Sequence, residues 1–281
     1  MSATLVGIHG IGQQQFGRHQ LQAQWRPALL DGLERASGRL LDVAPDFRLA
    51  FYGDVFTSSI TTPGRKGASE LDLSEEELAD LIQAVREAVT DDELAAAEAA
   101  PVKAYTRVPK PIQVVLRALD QRYGPHAGAL YLGNLRQVRR YLRDAELKAA
   151  VDARVRVATS NGGVRALIGH SLGSVVGFEY LRQNPEHELD VFLTLGSPLG
   201  LRMVRHLMPD PQYQPKNLAV WANLRDSRDP VACAGELSAF WAGVRDLPLV
   251  DNGGDAHSVE RYLSKRESGQ VLIDSLENLV P

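Results

Sequence analysis

One short stretch constrains this chain more than any other. Val164–Gly173 reads Val-Arg-Ala-Leu-Ile-Gly-His-Ser-Leu-Gly, an apolar run of strand type that ends in a G-x-S-x-G pentapeptide. Ser174–Leu181 follows with the spacing of a helix. Strand, sharp turn and helix in that order put a serine hydroxyl at the end of a sheet strand, on a backbone held in a strained conformation. Glycines on both flanks let strand and helix approach without Cβ clashes. The motif therefore predicts an α/β architecture with Ser171 as a nucleophile. The plainer alternative is a Gly-Ser turn that only packs a helix on a strand.

The remainder of the sequence is consistent with such a fold. The chain has 281 residues, 44% hydrophobic and 23% charged, enough for one large α/β domain. Its net charge of −4 gives no electrostatic case for a nucleic-acid partner. The one cysteine, Cys233, excludes an internal disulfide and suits a reducing compartment. Met1–Ile8 lacks a basic leader and a long apolar core, and no apolar run reaches the roughly 18 residues of a membrane span. The expectation is a cytoplasmic protein without an integral membrane segment. Nothing in the sequence sets an oligomeric state.

In chain order, Thr4–His9 reads as the first strand and delivers His9-Gly10-Ile11-Gly12. A helix spans about 20–36 with Leu21, Trp25, Leu29 and Leu33 on one face, and Pro27 is expected to kink it or move its start. Phe47–Tyr52 is a second strand, and Asp54 beyond it is read as capping or solvating a loop, with a place in the site lining as the alternative. Thr57–Asp72 is a loop whose Gly64-Arg65-Lys66-Gly67 lacks P-loop spacing. Ser74 and Glu77 form a capping box, Pro101 and Pro109-Lys110-Pro111 interrupt helical stripes, and Gly124-Pro125 ends another. One long helical stretch runs from about Leu135 to Val155. Residues 57–130 are thus a helical insertion, longer than a strand–helix connection needs, and read as a cap over the site within a single domain, 1–281. A separate helical packing unit is the competing reading. Strands follow at Leu189–Leu195, Leu218–Leu224 and Arg245–Val250, and helices close the chain. The alternation predicts a mostly parallel, doubly wound sheet.

A serine hydroxyl needs a base, and the base an orienting acid. Among seven histidines, His257 lies in a glycine-rich loop after the last expected strand, within reach of the sheet edge that carries Ser171. His170 neighbours the serine but points away from it, and His9 is expected to shape its own loop. For the acid, Asp229 in the loop after Leu218–Leu224 is preferred to Asp226, with Asp251 and Asp255 also open. Two backbone N–H groups are needed for an oxyanion: Leu172, next after the serine, and Ile11 in the first glycine loop, with Gly12 the alternative. No H-E-x-x-H and no Cys/His cluster is present, so no metal and no cofactor is expected.

These pieces together resemble the α/β-hydrolase superfamily, in particular its lipase-like serine esterase branch. The resemblance rests on His9-Gly10-Ile11-Gly12, Gly169-His170-Ser171-Leu172-Gly173-Ser174, Leu195-Gly196-Ser197-Pro198, Asp229-Pro230-Val231 and Ala256-His257-Ser258. It covers about 1–56 and 160–281, not the insertion. It implies a carboxylic ester hydrolase acting on a small-molecule or lipid-like ester, with Ser171, His257 and Asp229 as nucleophile, base and acid, and Ile11 and Leu172 as oxyanion donors. Thioesterase, amidase or acyltransferase chemistry uses the same groups. A non-catalytic binding protein on the same fold is the alternative from another class.

Overall fold

A computed structural model of the chain describes residues 4–13, 15–58, 75–100, 105, 110–160 and 162–276. The Thr57–Asp72 loop beyond Ser58, the Ser74 cap and the breaks at Pro101 and Pro109 lie outside these residues.

Among the described residues the sheet has six strands, all parallel, in the spatial order β2-β1-β3-β4-β5-β6. β1 (Thr4–Ile8) leads through α1 (Arg18–Ser37) to β2 (Asp46–Ala50) at one edge. Among the described residues that follow, the helices are α2 (Gly53–Ser58), α3 (Glu75–Ala88), α4 (Asp91–Ala99), α5 (Lys110–Tyr123), α6 (Ala127–Arg143) and α7 (Ala145–Thr159). β3 (Val164–His170) returns to the far side of β1 and is followed by α8 (Leu172–Gln183). β4 (Leu189–Leu195), α9 (Arg202–Leu207), β5 (Leu218–Leu224) and β6 (Val244–Asp246) extend the sheet outward, and α10 (Val259–Leu263) and α11 (Arg266–Ser275) close the chain.

Both faces of the sheet are buried, which is why its strands read as near-continuous apolar runs. Side chains alternate between two cores as the pleat requires. Leu5, Ala166, Ile168, Val191 and Leu193 pack with Trp25 and Leu29 of α1 and with Val271 and Leu272 of α11. Val6, Ile8, Leu167 and Phe192 face the opposite core with α7, α8 and the inserted helices. Buried glycines fix the close approaches. A Cβ on Gly173 would lie 1.9 Å from the Ile8 carbonyl oxygen, so α8 packs on β1 only because that position is glycine.

Several expectations shift in detail. Pro27 lies inside α1 without ending it, because it and Ala23, whose carbonyl it cannot bond, are both on the exposed face. The 135–155 stretch is two helices. Asp144 accepts hydrogen bonds from the Glu146 and Leu147 N–H groups and so caps α7 where apolar periodicity runs on unbroken. The insertion limit at 130 falls inside α6. Helix α2 reaches Ser58, past the expected loop start at Thr57, and Asp54 within it pairs with Arg154 at 2.9 Å. The last strand covers Val244–Asp246 only, and Val250 bridges singly to Asp226. No helix among the described residues is long and apolar enough to cross a membrane.

Candidate functional site

Strand order decides where a site can form. The chain steps from β1 to β2 on one side and from β1's other flank to β3, so the connections leaving β1 and β3 diverge. Such a reversal opens a crevice at the carboxyl ends of the two strands. The His9–Gly12 loop leaves one and Ser171 leaves the other. A Cβ on Gly10 would sit 2.8 Å from the Ser171 Cβ, so the first loop lies directly against the serine.

Ser171 has φ 55° and ψ −126°, a backbone conformation that L-residues rarely adopt. Local hydrogen bonds hold it there. Its N–H donates to the Leu195 carbonyl at 3.0 Å, and its own carbonyl accepts from Ser174 N–H at 2.9 Å and from the Ser174 hydroxyl at 2.6 Å. The Ser174 and Ser197 hydroxyls pair at 2.7 Å, which joins the G-H-S-L-G-S turn to the L-G-S-P turn after β4. Leu172 opens α8, so its N–H is among those a helix leaves without an internal partner.

His257 and Asp229 are brought together. The imidazole Nδ1 lies 2.8 and 2.9 Å from the two Asp229 carboxylate oxygens. Val231 N–H donates to the same carboxylate at 2.9 Å and the Tyr262 hydroxyl at 2.8 Å. Three donors thus converge on one buried acid, and they orient it towards the ring. Gly196, at φ 52°, makes the space: a Cβ there would lie 2.6 Å from the Asp229 Oδ2 and 3.1 Å from His257 Nδ1. Asp226 does different work. It accepts from the backbone N–H groups of Arg228 and Asn252, and so ties the loop after β5 to the loop before His257. Asp251 and Asp255 are exposed, and Asp251 pairs with Arg228.

The remaining histidines divide cleanly. His19, His126 and His206 are exposed, and His187 pairs with the Tyr180 hydroxyl. His170 donates from Nε2 to the His257 carbonyl at 2.8 Å and so anchors the backbone of that loop. His9 accepts from Tyr52 N–H at Nε2 (3.1 Å) and donates from Nδ1 to the Gly10 carbonyl (2.7 Å), holding the first loop in shape. Burial lowers the His9 pKa to about 4, with the Gly10 bond and Asp54 opposing the shift. Burial first, and the neighbouring His257 second, hold His170 well below the ordinary histidine range. Acid should therefore destabilise the fold. Below about pH 6.5 the unfolded chain protonates these rings while the folded chain does not, so stability falls as pH drops from there towards 4. For His9 alone the loss reaches about 3 kcal/mol. Urea unfolding at pH 7 and pH 4.5 measures it, and a His9→Gln variant should show the shallower dependence.

One residue of the site has no counterpart in the sequence reading. The Ser171 hydroxyl donates to Oδ1 of Asn134 at 2.6 Å, and Asn134 Nδ2 stands 3.4 Å from His257 Nε2. Among the described residues no hydrogen bond joins Ser171 to His257 directly. Asn134 comes from α6, where it shares the buried face of Tyr131, Leu135 and Val138. A polar residue within an apolar helical stripe was the available signal. Comparison of the chain with protein-family models, with curated proteins and with solved structures finds no match.

Proposed function

We propose that the chain is a serine hydrolase of the α/β-hydrolase type, cleaving a carboxylic ester through an acyl-enzyme. The observation that carries the reading is the buried His257–Asp229 pair, at 2.8 Å, in the crevice that Ser171 enters on a positive-φ turn. A non-glycine residue held in that conformation costs about 1–3 kcal/mol, and strain of this kind clusters at functional sites. Asp229 fixes the proton on Nδ1 and leaves the lone pair on Nε2, the atom that acts as the base.

In this reading Ser171 Oγ attacks the ester carbonyl carbon as its proton passes to His257 Nε2. The Leu172 and Ile11 N–H groups stabilise the oxyanion, a contribution on the order of 3 kcal/mol per donor. The leaving alcohol takes the proton back from the imidazolium. Water, activated by the same ring, then releases the acid and restores the serine. The inserted helices act as a cap and supply the walls of the acyl site. Thioester, amide or acyl-transfer chemistry would employ the same groups.

A second reading, a binding protein on the same scaffold, draws on the Ser171–Asn134 bond, which directs the hydroxyl away from the imidazole. Reaction with a fluorophosphonate separates the two. A mass increase mapped to the peptide carrying Ser171 is the expected result. An unmodified peptide after prolonged exposure would favour the binding protein.

A further inference from the structure

We propose that Asn134 is a gate on the site, resting on the serine hydrolase reading above. Its carboxamide stands between nucleophile and base, holds the Ser171 hydroxyl off His257, and must be displaced by substrate before the serine proton can move.

The orientation of the amide follows from its neighbours. Asp229 accepts from His257 Nδ1, so in the neutral ring Nε2 carries a lone pair and needs a donor. The Asn134 Nδ2 is the group within reach, which turns Oδ1 towards Ser171. The hydrogen bonds then run in one direction, from serine to asparagine, from asparagine to histidine, from histidine to aspartate. Each partner is satisfied, and the serine proton points at an amide oxygen too weakly basic to take it.

Position and packing support the same role. Asn134 and Ser171 are both 0% exposed, so the reacting groups are shut off from a substrate while α6 stays in place. A buried asparagine on an apolar helix face is unfavourable unless its polar groups are paired. Among the described residues the side chains that pair it are Ser171 and His257. A Cβ on the neighbouring Gly133 would lie 3.6 Å from Ile11 Cδ1, so α6 sits against the first oxyanion loop and its movement would uncover that loop as well. Tyr131 and Leu135 on the same face border a small apolar void together with Ile82, Val85, Ile112 and Val115.

The test compares wild type, Asn134→Ala and Asn134→Leu for the rate of fluorophosphonate reaction at Ser171 and for p-nitrophenyl ester hydrolysis. Loss of the two polar contacts should raise the labelling rate of Asn134→Ala about tenfold. In hydrolysis KM should fall by a similar factor with kcat unchanged, since only the fraction of open protein changes. Asn134→Leu keeps the bulk without the hydrogen bonds and should fall between the two; it carries the comparison should the alanine protein not fold. Labelling of Asn134→Ala at or below the wild-type rate overturns the gate while leaving the hydrolase reading intact. So does a fall in kcat at constant KM, which would make the amide part of the chemistry. Absence of label at Ser171 in all three proteins overturns the hydrolase reading, and the gate with it.

Discussion

Ser171→Ala should lower p-nitrophenyl ester hydrolysis by about a thousandfold or more, with the fold retained. The reason is that the other hydroxyls near His257 among the described residues are engaged elsewhere: that of Tyr262 donates to Asp229 behind the imidazole. The Ser174 hydroxyl is bonded to the Ser171 carbonyl and to Ser197 behind the turn. The same position offers a thermodynamic check that is independent of catalysis. Ser171 holds φ 55° with a Cβ present. Alanine keeps that Cβ and its strain, whereas glycine removes it. Both variants lose the hydrogen bond to Asn134, so the difference between them isolates the backbone. Ser171→Gly should be more stable than Ser171→Ala by about 1 kcal/mol in urea unfolding. Activity of Ser171→Ala close to wild type would remove the serine from the mechanism.

The elbow and its strands were legible because local pattern and global fold agree there. An apolar run, a glycine pair and a helical stripe each encode a local geometry, and β3 and α8 follow from them directly. The approach of the His9–Gly12 loop to Ser171 was legible for a similar reason, since parallel strand order carries both loops to one sheet edge. What decides between Asp226 and Asp229 is not local. Both acids sit in one loop after β5, and the contacts that separate their duties come from Tyr262 and Asn252, well over twenty positions along the chain. Asp144 was missed for the opposite reason: the apolar period continues across α6 and α7, and a cap changes helix direction without changing that period. Asn134 was hidden by its setting. Tyr131, Leu135 and Val138 make a good core face, and a single polar residue on it is outweighed in any periodicity argument. Its partners lie on two other loops, which only the folded chain assembles.

The division of labour between the two acids gives the second large effect. In Asp229→Asn the new amide can present an N–H to His257 Nδ1, which then becomes an acceptor and moves the ring proton to Nε2. A ring protonated there cannot receive the serine proton, and kcat should drop about ten-thousandfold. Binding of ester should change little, because Asp229 is 1% exposed and lies behind the imidazole. Asp226→Asn should behave differently. Its carboxylate receives the Arg228 and Asn252 N–H groups, one on each oxygen, and an amide can accept only one of them. A buried donor left without an acceptor costs about 1–3 kcal/mol, so this variant should lose stability in urea while kcat stays within a few fold of wild type. Measuring kcat and the urea midpoint on both proteins separates the roles. The reverse pattern, with catalysis lost in Asp226→Asn and kept in Asp229→Asn, would transfer the orienting role to Asp226 and require the loop between them to rearrange, since of the two acids it is Asp229 that bonds to the ring here.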